Sequence, residues 1–264
     1  MKNSMQALVH NFPKNLVTVV IAMYNGEKTI VLTINSIFEQ THKDINIIIC
    51  DDGSSDSSVA KVLSLDNSKI TLLRNNTNQG LSKTRMKLLS AVKTKWLAFI
   101  DQDDTWEKNK IERQINLLKV EACGMSHTHY YYIVPFLNTK KVIKSKSKVY
   151  YKDMLSGRSV GASTVLINTE YFENLTTFSD DRYLDPVNDY VIWLNLFRKS
   201  DNHSLCIEEP LMNYYFHGNN LSANKLRQLY KHFYVLKNIE KISFSKLIYY
   251  IILNVYNKIK VYVL

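Results

Sequence analysis

The segment Trp96-Leu-Ala-Phe-Ile-Asp-Gln-Asp-Asp104 joins an uninterrupted apolar run to a cluster of three carboxylates. A short, continuous apolar run predicts a β-strand that is buried on both faces of a sheet. The strand is expected to end at Ile100, because the polar cluster begins at Asp101. Residues 107–121 then have the spacing of an amphipathic helix. The segment therefore predicts a strand, an acidic turn and a helix in succession.

Strand and helix signals alternate in the same way through the preceding residues. Repeated strand–turn–helix units predict an α/β fold with a mostly parallel, doubly wound sheet and helices on both faces. Strands are predicted at 16–23, 45–50 and 70–73, and helices at 27–40, 57–65 and 81–92.

Polar side chains follow three of these strands, as Tyr24-Asn25, Asp51-Asp52 and Asp101–Asp104. Ligands of open α/β sheets bind beyond the carboxyl ends of the strands, so we expect these groups to converge at one edge. Neighbouring carboxylates repel one another unless a cation neutralises them, and Mg²⁺ or Mn²⁺ suits oxygen ligands. The alternative is a solvated acidic turn in which an aspartate caps the following helix.

The pattern changes in the second half of the chain. An aromatic and apolar stretch at 130–136 is followed by a basic, flexible-looking segment at 140–152. A strand is expected at 161–167 and a helix at 190–197. Residues 224–264 predict one or two basic helices. There is no internal repeat and no clear linker.

The composition is that of a globular protein of 264 residues, 45% of them hydrophobic and 22% charged. Cys50, Cys123 and Cys206 form an odd set without a CxxC pair, which favours a reducing compartment over a disulfide framework or a zinc ribbon. The first 14 residues lack the apolar core of a secretory signal. The longest uncharged apolar run, at 247–257, is too short to span a bilayer.

Several function classes lack their motifs in this chain. GxGxxG, GxxxxGK[ST] and GxSxG are absent, which argues against dinucleotide-binding, P-loop and α/β-hydrolase proteins. The net charge of +10 favours an anionic partner, which could be nucleic acid, a phosphorylated ligand or an acidic membrane surface. No recognised nucleic-acid-binding motif accompanies this charge, so nucleic acid is not expected.

Four ordered motifs resemble those of the family 2 glycosyltransferases, which have the GT-A fold. They are Val17–Asn25, Cys50–Asp56, Asn78-Gln-Gly80 with Arg85, and Phe99-Ile-Asp-Gln-Asp-Asp-Thr-Trp106. The resemblance is dense over about residues 16–120 and sparser to about residue 222. It implies inverting transfer of a sugar from a nucleoside diphosphate donor.

The resemblance also implies which residues bind the nucleotide. Tyr24 corresponds to the residue that stacks on the base, and Asp52 to the one that hydrogen-bonds it. Arg85 matches the family arginine near the nucleotide. One departure is Ala22-Met23, where the family often has Pro-Thr, so no hydroxyl contact is expected there.

A divalent cation, Mn²⁺ or Mg²⁺, is implied in the same way. Asp101 and Asp103 match the DxD pair, with Asp103 the expected direct ligand and Asp104 an adjacent support. His217 lies in a late segment, 214–222, that resembles one of the family, and it is the expected second ligand of the metal or diphosphate. The alternative for His217 is a surface-loop histidine with a local hydrogen bond.

The segment Asp185-Pro-Val-Asn-Asp189 precedes the helix predicted at 190–197. The family commonly has Glu-Asp at this point, and its second acid is the catalytic base. By resemblance, Asp189 takes the proton of the acceptor hydroxyl, whereas Asn188 replaces the usual Glu. The alternative is that Asp189 only caps the helix. Asp185 and Asp181 are the next candidates for the base.

These motifs together predict the organisation and activity of the chain. We expect a GT-A domain at 1–222, with a nucleotide-binding half at about 16–120 and an acceptor half at about 121–222, and a basic helical extension at 223–264. The expected donor is a UDP-sugar, and the expected acceptor is a glycan or glycolipid in bacterial surface polysaccharide or lipopolysaccharide synthesis. The alternatives are a polyprenyl phosphate or protein acceptor, and a catalytically silent module that only binds sugar nucleotides.

The basic C-terminal stretch has two interpretations. Ile, Leu and Tyr interleave with Lys after residue 240. Such a stretch is either a solvated face or a contact with an anionic membrane surface. We expect a cytoplasmic protein, attached peripherally to the inner face of the cell membrane if the second interpretation holds.

Overall fold

The apolar runs in the first hundred residues form parallel strands. The structure, a computed structural model, describes residues 15–121, 123–157, 160–171, 182–198, 202–218 and 225–263. The first strands are Val17–Met23 (β1), Ile45–Asp51 (β2), Ile70–Arg74 (β3) and Trp96–Phe99 (β4), in the spatial order β3-β2-β1-β4. Each neighbouring pair is parallel. Strands β1, β2 and β4 are almost entirely buried, as their continuous apolar sequences predict.

Helices cover both faces of this sheet, as predicted. They are Ile30–Phe38 (α1), Ser58–Leu63 (α2), Leu81–Ala91 (α3) and Lys110–Val120 (α4). Successive residues of a strand point to opposite faces. Val19 and Ile21 of β1 therefore pack in the apolar cluster of α1 and α4, whereas Val20 packs in that of α3. The core consists of two apolar layers, one on each side of the sheet.

The second half of the chain extends the sheet beyond β4. It adds Thr105–Trp106 (β5), Met125–Val134 (β6), Thr139–Ile143 (β7), Lys148–Tyr150 (β8), Leu166–Asn168 (β9) and His203–Tyr215 (β10). The order beyond β4 is β9-β6-β10-β5, with β7 beside β6 and β8 beside β10. Strand β9 is antiparallel to β4 and β6, whereas β6 and β10 are parallel. The predicted α/β fold with a mostly parallel central sheet is confirmed.

Two local predictions in this half are wrong. Residues 140–152 were expected to be flexible, but they form most of β7, all of β8 and the start of a short helix, Tyr151–Leu155 (α5). The lysines of β7 are exposed at the outer side of β6, where charged side chains discourage further strand pairing. The strand expected at 161–167 begins only at Leu166, after a single 3₁₀ turn.

The later helices complete the layer that contains α3. They are Asn188–Phe197 (α6), Lys225–Tyr234 (α7) and Phe244–Val263 (α8), with a π-helical turn at Val235–Ile239. Leu236 and Leu247 lie in the same apolar cluster as Trp193 of α6. These helices confirm the predicted ones. The expected boundary between residues 222 and 223 lies outside the described residues, and the division into a domain and an extension stays a prediction.

Trp193 is the residue that most directly holds α6 against the sheet. Its side chain is fully buried, and its ring meets that of Phe99 of β4 edge-on, with centroids 5.4 Å apart. Its Nε1 donates a hydrogen bond to Val160 O at 3.1 Å. The middle of α6 is therefore fixed relative to the end of β4.

We expect Trp193→Ala to lower the free energy of unfolding by about 3–5 kcal/mol, because it leaves a large cavity. Trp193→Phe keeps most of the apolar contact and should cost only about 1–2 kcal/mol. Leu32→Ala, at an exposed position of α1, is the matched control and should change the free energy by less than about 0.5 kcal/mol. Urea unfolding measures all three, and equal values for Trp193→Ala and Leu32→Ala would contradict this packing role.

Candidate active site

Gln102 ties the end of β1 to the acidic turn that follows β4. Its Oε1 accepts a hydrogen bond from Tyr24 N at 2.9 Å, and its Nε2 donates to Tyr24 O at 3.0 Å. A Cβ on Gly26 would lie 2.4 Å from Gln102 Oε1, so glycine leaves the space that this contact needs. The Tyr24 side chain itself is 45% exposed. Its ring is accessible, as stacking on a nucleobase requires.

Asp52, just beyond the end of β2, holds a loop in place. Its Oδ1 accepts hydrogen bonds from Asn75 Nδ2 and Gln79 N, both at 2.8 Å, and its Oδ2 accepts one from Gly80 N at 2.9 Å. The side chain is buried. Asp52 therefore fixes the loop at 75–80, which leads into α3. Its predicted hydrogen bond to a nucleobase stays a prediction.

Ser163 organises the acidic turn from the other side. Its Oγ accepts a hydrogen bond from Asp101 N at 3.0 Å and donates one to Asp104 Oδ2 at 2.6 Å. Its carbonyl accepts a bond from Trp106 Nε1 at 2.7 Å. Burial, reinforced by the charges of Asp101 and Asp103, raises the pKa of the Asp104 carboxyl well above its usual value. Asp104 is thus a buried part of the turn, consistent with the supporting role expected for it.

Arg85 of α3 connects this turn to α6. It is only 5% exposed, and its Nη2 lies 2.8 Å from Asp101 Oδ1. Its Nη1 donates a hydrogen bond to Asn188 Oδ1 at the start of α6. The Asp101 side chain remains 45% exposed, so it can also contact a ligand. The structure therefore brings Arg85, Asp101 and the first turn of α6 together in one site.

Asp189 belongs to the same group of charges. It is half-buried in the first turn of α6, and burial raises the pKa of its carboxyl. The positive charge of Arg85 opposes that rise, and the negative charge of Asp101 adds to it. Asp189 Oδ1 accepts a hydrogen bond from Tyr190 N at 2.8 Å. The predicted base thus lies within electrostatic reach of Arg85 and Asp101, two of the predicted donor-binding residues.

The other two candidate bases are not equivalent to Asp189. Asp185 Oδ1 accepts a hydrogen bond from Ser82 N at 2.9 Å, so this carboxylate satisfies a backbone donor in the first turn of α3. Such bonds stabilise a helix N-terminus. Asp181 lies outside the described residues.

Asp103 is half-buried beside the negative charge of Asp101. Burial and the negative charge of Asp101 raise the pKa of its carboxyl to about 6. Within the described ranges, no group of three or more His, Cys, Asp or Glu side chains is arranged to hold a metal ion. Mn²⁺ and Mg²⁺ commonly use one or two carboxylates and complete their coordination with substrate phosphates and water. The oxygen donors of Asp101 and Asp103 fit a cation of that kind.

His217 lies beyond the end of β10. It is exposed, and its ring is stacked on that of Tyr215 with centroids 6.3 Å apart. Tyr215 OH is 3.4 Å from Thr105 Oγ1, in the residue that follows the acidic turn. The role of His217 as a ligand of metal or diphosphate stays a prediction. Ser222, at the end of the same predicted segment, lies outside the described residues.

Gln102 and Ser163 were not among the predicted site residues. Gln102 lies inside the acidic run, but its partner Tyr24 is 78 residues away. Ser163 is 62 residues from Asp101, and no local pattern marks it. The sequence does predict that the polar strand ends converge at one edge of the sheet, and this is its only signal for the Gln102 contact.

Comparison with known proteins agrees with this geometry. The profile of "Glycosyl transferase family 2" matches residues 18–175, more than half of the chain. The chain is 33% identical over 226 residues to UDP-Glc:alpha-D-GlcNAc-diphosphoundecaprenol beta-1,3-glucosyltransferase WfaP of Escherichia coli, covering 85% of this chain and 86% of that protein. It is 28% identical to the putative teichuronic acid biosynthesis glycosyltransferase TuaG of Bacillus subtilis, covering 88% and 92% of the two chains.

Solved structures show the same fold. Residues 1–349 of TarS from S. aureus match with a TM-score of 0.68 at 13% identity, covering 93% of this chain and 72% of that one. A longer TarS chain matches with a TM-score of 0.65 at 14% identity, and this chain spans 40% of its length. The fold is the GT-A fold, and the chain is an enzyme that belongs to glycosyl transferase family 2.

Proposed function

We propose that the protein transfers a sugar, with inversion, from a UDP-sugar to a saccharide carried on a polyprenyl diphosphate lipid during synthesis of a bacterial surface polysaccharide. One observation carries the chemical part of this proposal. Arg85 joins Asp101, on the donor side, to the first turn of α6, where Asp189 lies. A donor site and a base are then held in one rigid cluster, as group transfer requires.

The choice of donor and acceptor is supported by the relatives. WfaP and WfgD of Escherichia coli are both named as UDP-Glc:alpha-D-GlcNAc-diphosphoundecaprenol beta-1,3-glucosyltransferases. TarS structures are described in complex with UDP and with UDP-GlcNAc. These names favour a UDP-sugar as the donor. They favour a lipid-linked saccharide as the acceptor over a protein or a polyprenyl phosphate.

The reaction needs a base on the acceptor side. The acceptor hydroxyl oxygen forms a bond to the anomeric carbon while the bond from that carbon to the diphosphate oxygen breaks. The proton of the hydroxyl goes to Asp189, and UDP leaves on the opposite side of the sugar, which inverts the anomeric centre. A carboxylate whose pKa is raised by burial is a stronger base than an ordinary one. Asp189 suits this role.

The donor side needs positive charge near the diphosphate. The Tyr24 ring is available for the base, and Asp101 and Asp103 would hold Mn²⁺ or Mg²⁺. Such a cation neutralises the charge of the leaving diphosphate when it is bound. Arg85 keeps the Asp101 carboxylate fixed in position by pairing with it.

Two other functions fit the chain less well. A sugar-nucleotide-binding module without activity would need no carboxylate beside Arg85 on the acceptor side, yet Asp189 lies there. A nucleic-acid-binding protein would use basic clusters, and the cluster at these strand ends is acidic. We also propose a cytoplasmic location at the inner face of the membrane, because a lipid-linked acceptor lies in the bilayer.

The base is tested with Asp189→Asn. Removing the carboxylate should lower turnover by roughly 10²- to 10⁴-fold, because deprotonation of the acceptor belongs to the transfer step. Donor affinity should stay within a small factor of the wild-type value. Isothermal calorimetry with UDP-glucose and product analysis with a GlcNAc-diphospholipid give both quantities.

Asp185→Asn is the matched control for this variant. Its side-chain oxygen can still accept the hydrogen bond from Ser82 N, so turnover should remain near the wild-type value. If Asp189→Asn keeps full turnover, the base is another residue. If Asp185→Asn loses turnover while Asp189→Asn keeps it and both remain folded, the assignment of roles to these two carboxylates is reversed.

The cation is tested with Asp103→Asn over a range of pH. In the wild type the Asp103 carboxyl, whose pKa is raised to about 6, becomes protonated and neutral as the pH falls. Binding of UDP in the presence of Mn²⁺ should therefore weaken by roughly tenfold per pH unit below about pH 6. Asp103→Asn should bind UDP weakly at every pH in Mn²⁺, and as well as the wild type without metal. Equal affinity of the two proteins at saturating Mn²⁺ would remove Asp103 from the cation site.

A further inference from the structure

The long C-terminal helix α8 has an exposed apolar face. Exposed side chains recur along it at spacings of three and four residues, which places them on one side of a helix. They are large and apolar or aromatic, and each is between 40% and 75% exposed. We call them the α8 stripe: Phe244, Ile248, Tyr249, Ile252, Val255 and Tyr256.

The opposite face of α8 is fixed to the protein. Leu247 is buried in the apolar cluster of α6, with Tyr250 packed against that cluster. Asn257 Nδ2 donates a hydrogen bond to Ser156 O at 3.0 Å. A Cβ on Gly157 would lie 2.0 Å from Asn254 Nδ2, so the helix approaches the end of α5 closely. The stripe is therefore presented outward by a helix that is already anchored.

The charge around the stripe is positive. Residues 241–264 contain Lys241, Lys246, Lys258 and Lys260, and no Asp or Glu. Lys241 and Lys246 are exposed. An apolar face with lysines and without acids has the chemistry of a helix that lies in the interface of an anionic bilayer. The two tyrosines of the stripe suit the level of the lipid headgroups, because their rings are apolar and their hydroxyl groups are polar.

A bilayer fits this face better than a second copy of the chain does. Each chain carries a net charge of +10, so two copies repel one another, whereas an anionic surface attracts both. In the part of the chain that the structure describes, no helix is long and apolar enough to cross a bilayer.

We propose that the α8 stripe is a membrane-binding surface that seats the enzyme on anionic phospholipid. The stripe enters the headgroup region, and the neighbouring lysines contact the acidic headgroups. This deepens the proposed function, because it would bring the active site to an acceptor that is itself held in the bilayer. The binding needs neither donor nor acceptor, so it can be tested apart from the transfer reaction.

Vesicle sedimentation of the full chain tests the proposal. The wild type should bind vesicles of phosphatidylglycerol and phosphatidylcholine, and should bind pure phosphatidylcholine at least about tenfold more weakly. Ile252→Glu should lower binding to the anionic vesicles by about tenfold or more, because it places a carboxylate in the middle of the stripe. Lys246→Glu should lower binding by roughly fivefold or more, and added salt should weaken wild-type binding.

Val120→Glu is the matched control, because Val120 is 81% exposed on α4 and far from α8 in sequence. It introduces the same charge, and it should bind the vesicles as the wild type does. Thermal melting shows that each variant is folded. Wild-type protein that ignores anionic vesicles, or Ile252→Glu that binds them unchanged, would overturn the proposal. So would a wild-type dimer in sedimentation velocity that Ile252→Glu converts to a monomer, since the stripe would then join two chains.

Discussion

The buried guanidinium of Arg85 is the contact on which the rest of the site depends. A charge removed from water must be paired, and here the partners are the Asp101 carboxylate and the Asn188 amide oxygen. The first partner follows β4, and the second begins α6, which is 103 residues from Arg85 in sequence. The planar fork of arginine can bind both at once. The turn after β4 and the start of α6 are thereby held together by one side chain.

The carboxylates around Arg85 have different environments, and these suit the different roles proposed for them. Asp104 is buried and bonded to Ser163, so it shapes the turn. Asp101 is half-exposed and paired with Arg85, which leaves it able to meet a ligand. Burial raises the pKa of both Asp103 and Asp189, yet only Asp189 has Arg85 as an opposing charge. The different environments of these four side chains suit the turn, cation and base roles proposed for them.

The sequence was sufficient for the central sheet, whereas the roles of the predicted site residues stay predictions. The continuous apolar runs of β1, β2 and β4 predict buried strands, and the resemblance implies roles for Asp101, Asp103 and Asp189. The sequence alone was not sufficient where pairing with a distant strand determines the local structure. The basic run 140–152 looks flexible by itself, yet it pairs along β6 and β10.

The contacts that fix the site were also hidden from local patterns. Ser163 and Asn188 are ordinary polar residues whose partners lie 62 and 103 residues away. Asp52 was expected to contact the nucleotide, and its bonds to the loop at 75–80 appear only in the folded chain. Sequence patterns predict which residue types carry the chemistry, and the fold determines what holds each of them.

The turnover of Arg85→Lys shows whether Arg85 couples the two halves of the site. Lysine keeps the charge but cannot bind both partners in the same planar geometry, so turnover should fall by about 10²-fold or more in a protein that remains folded. Arg113→Lys is the control, because Arg113 forms an exposed pair with Glu209 away from the acidic turn, and it should keep wild-type turnover. Wild-type turnover in Arg85→Lys would show that the site does not need Arg85 to hold its two halves together.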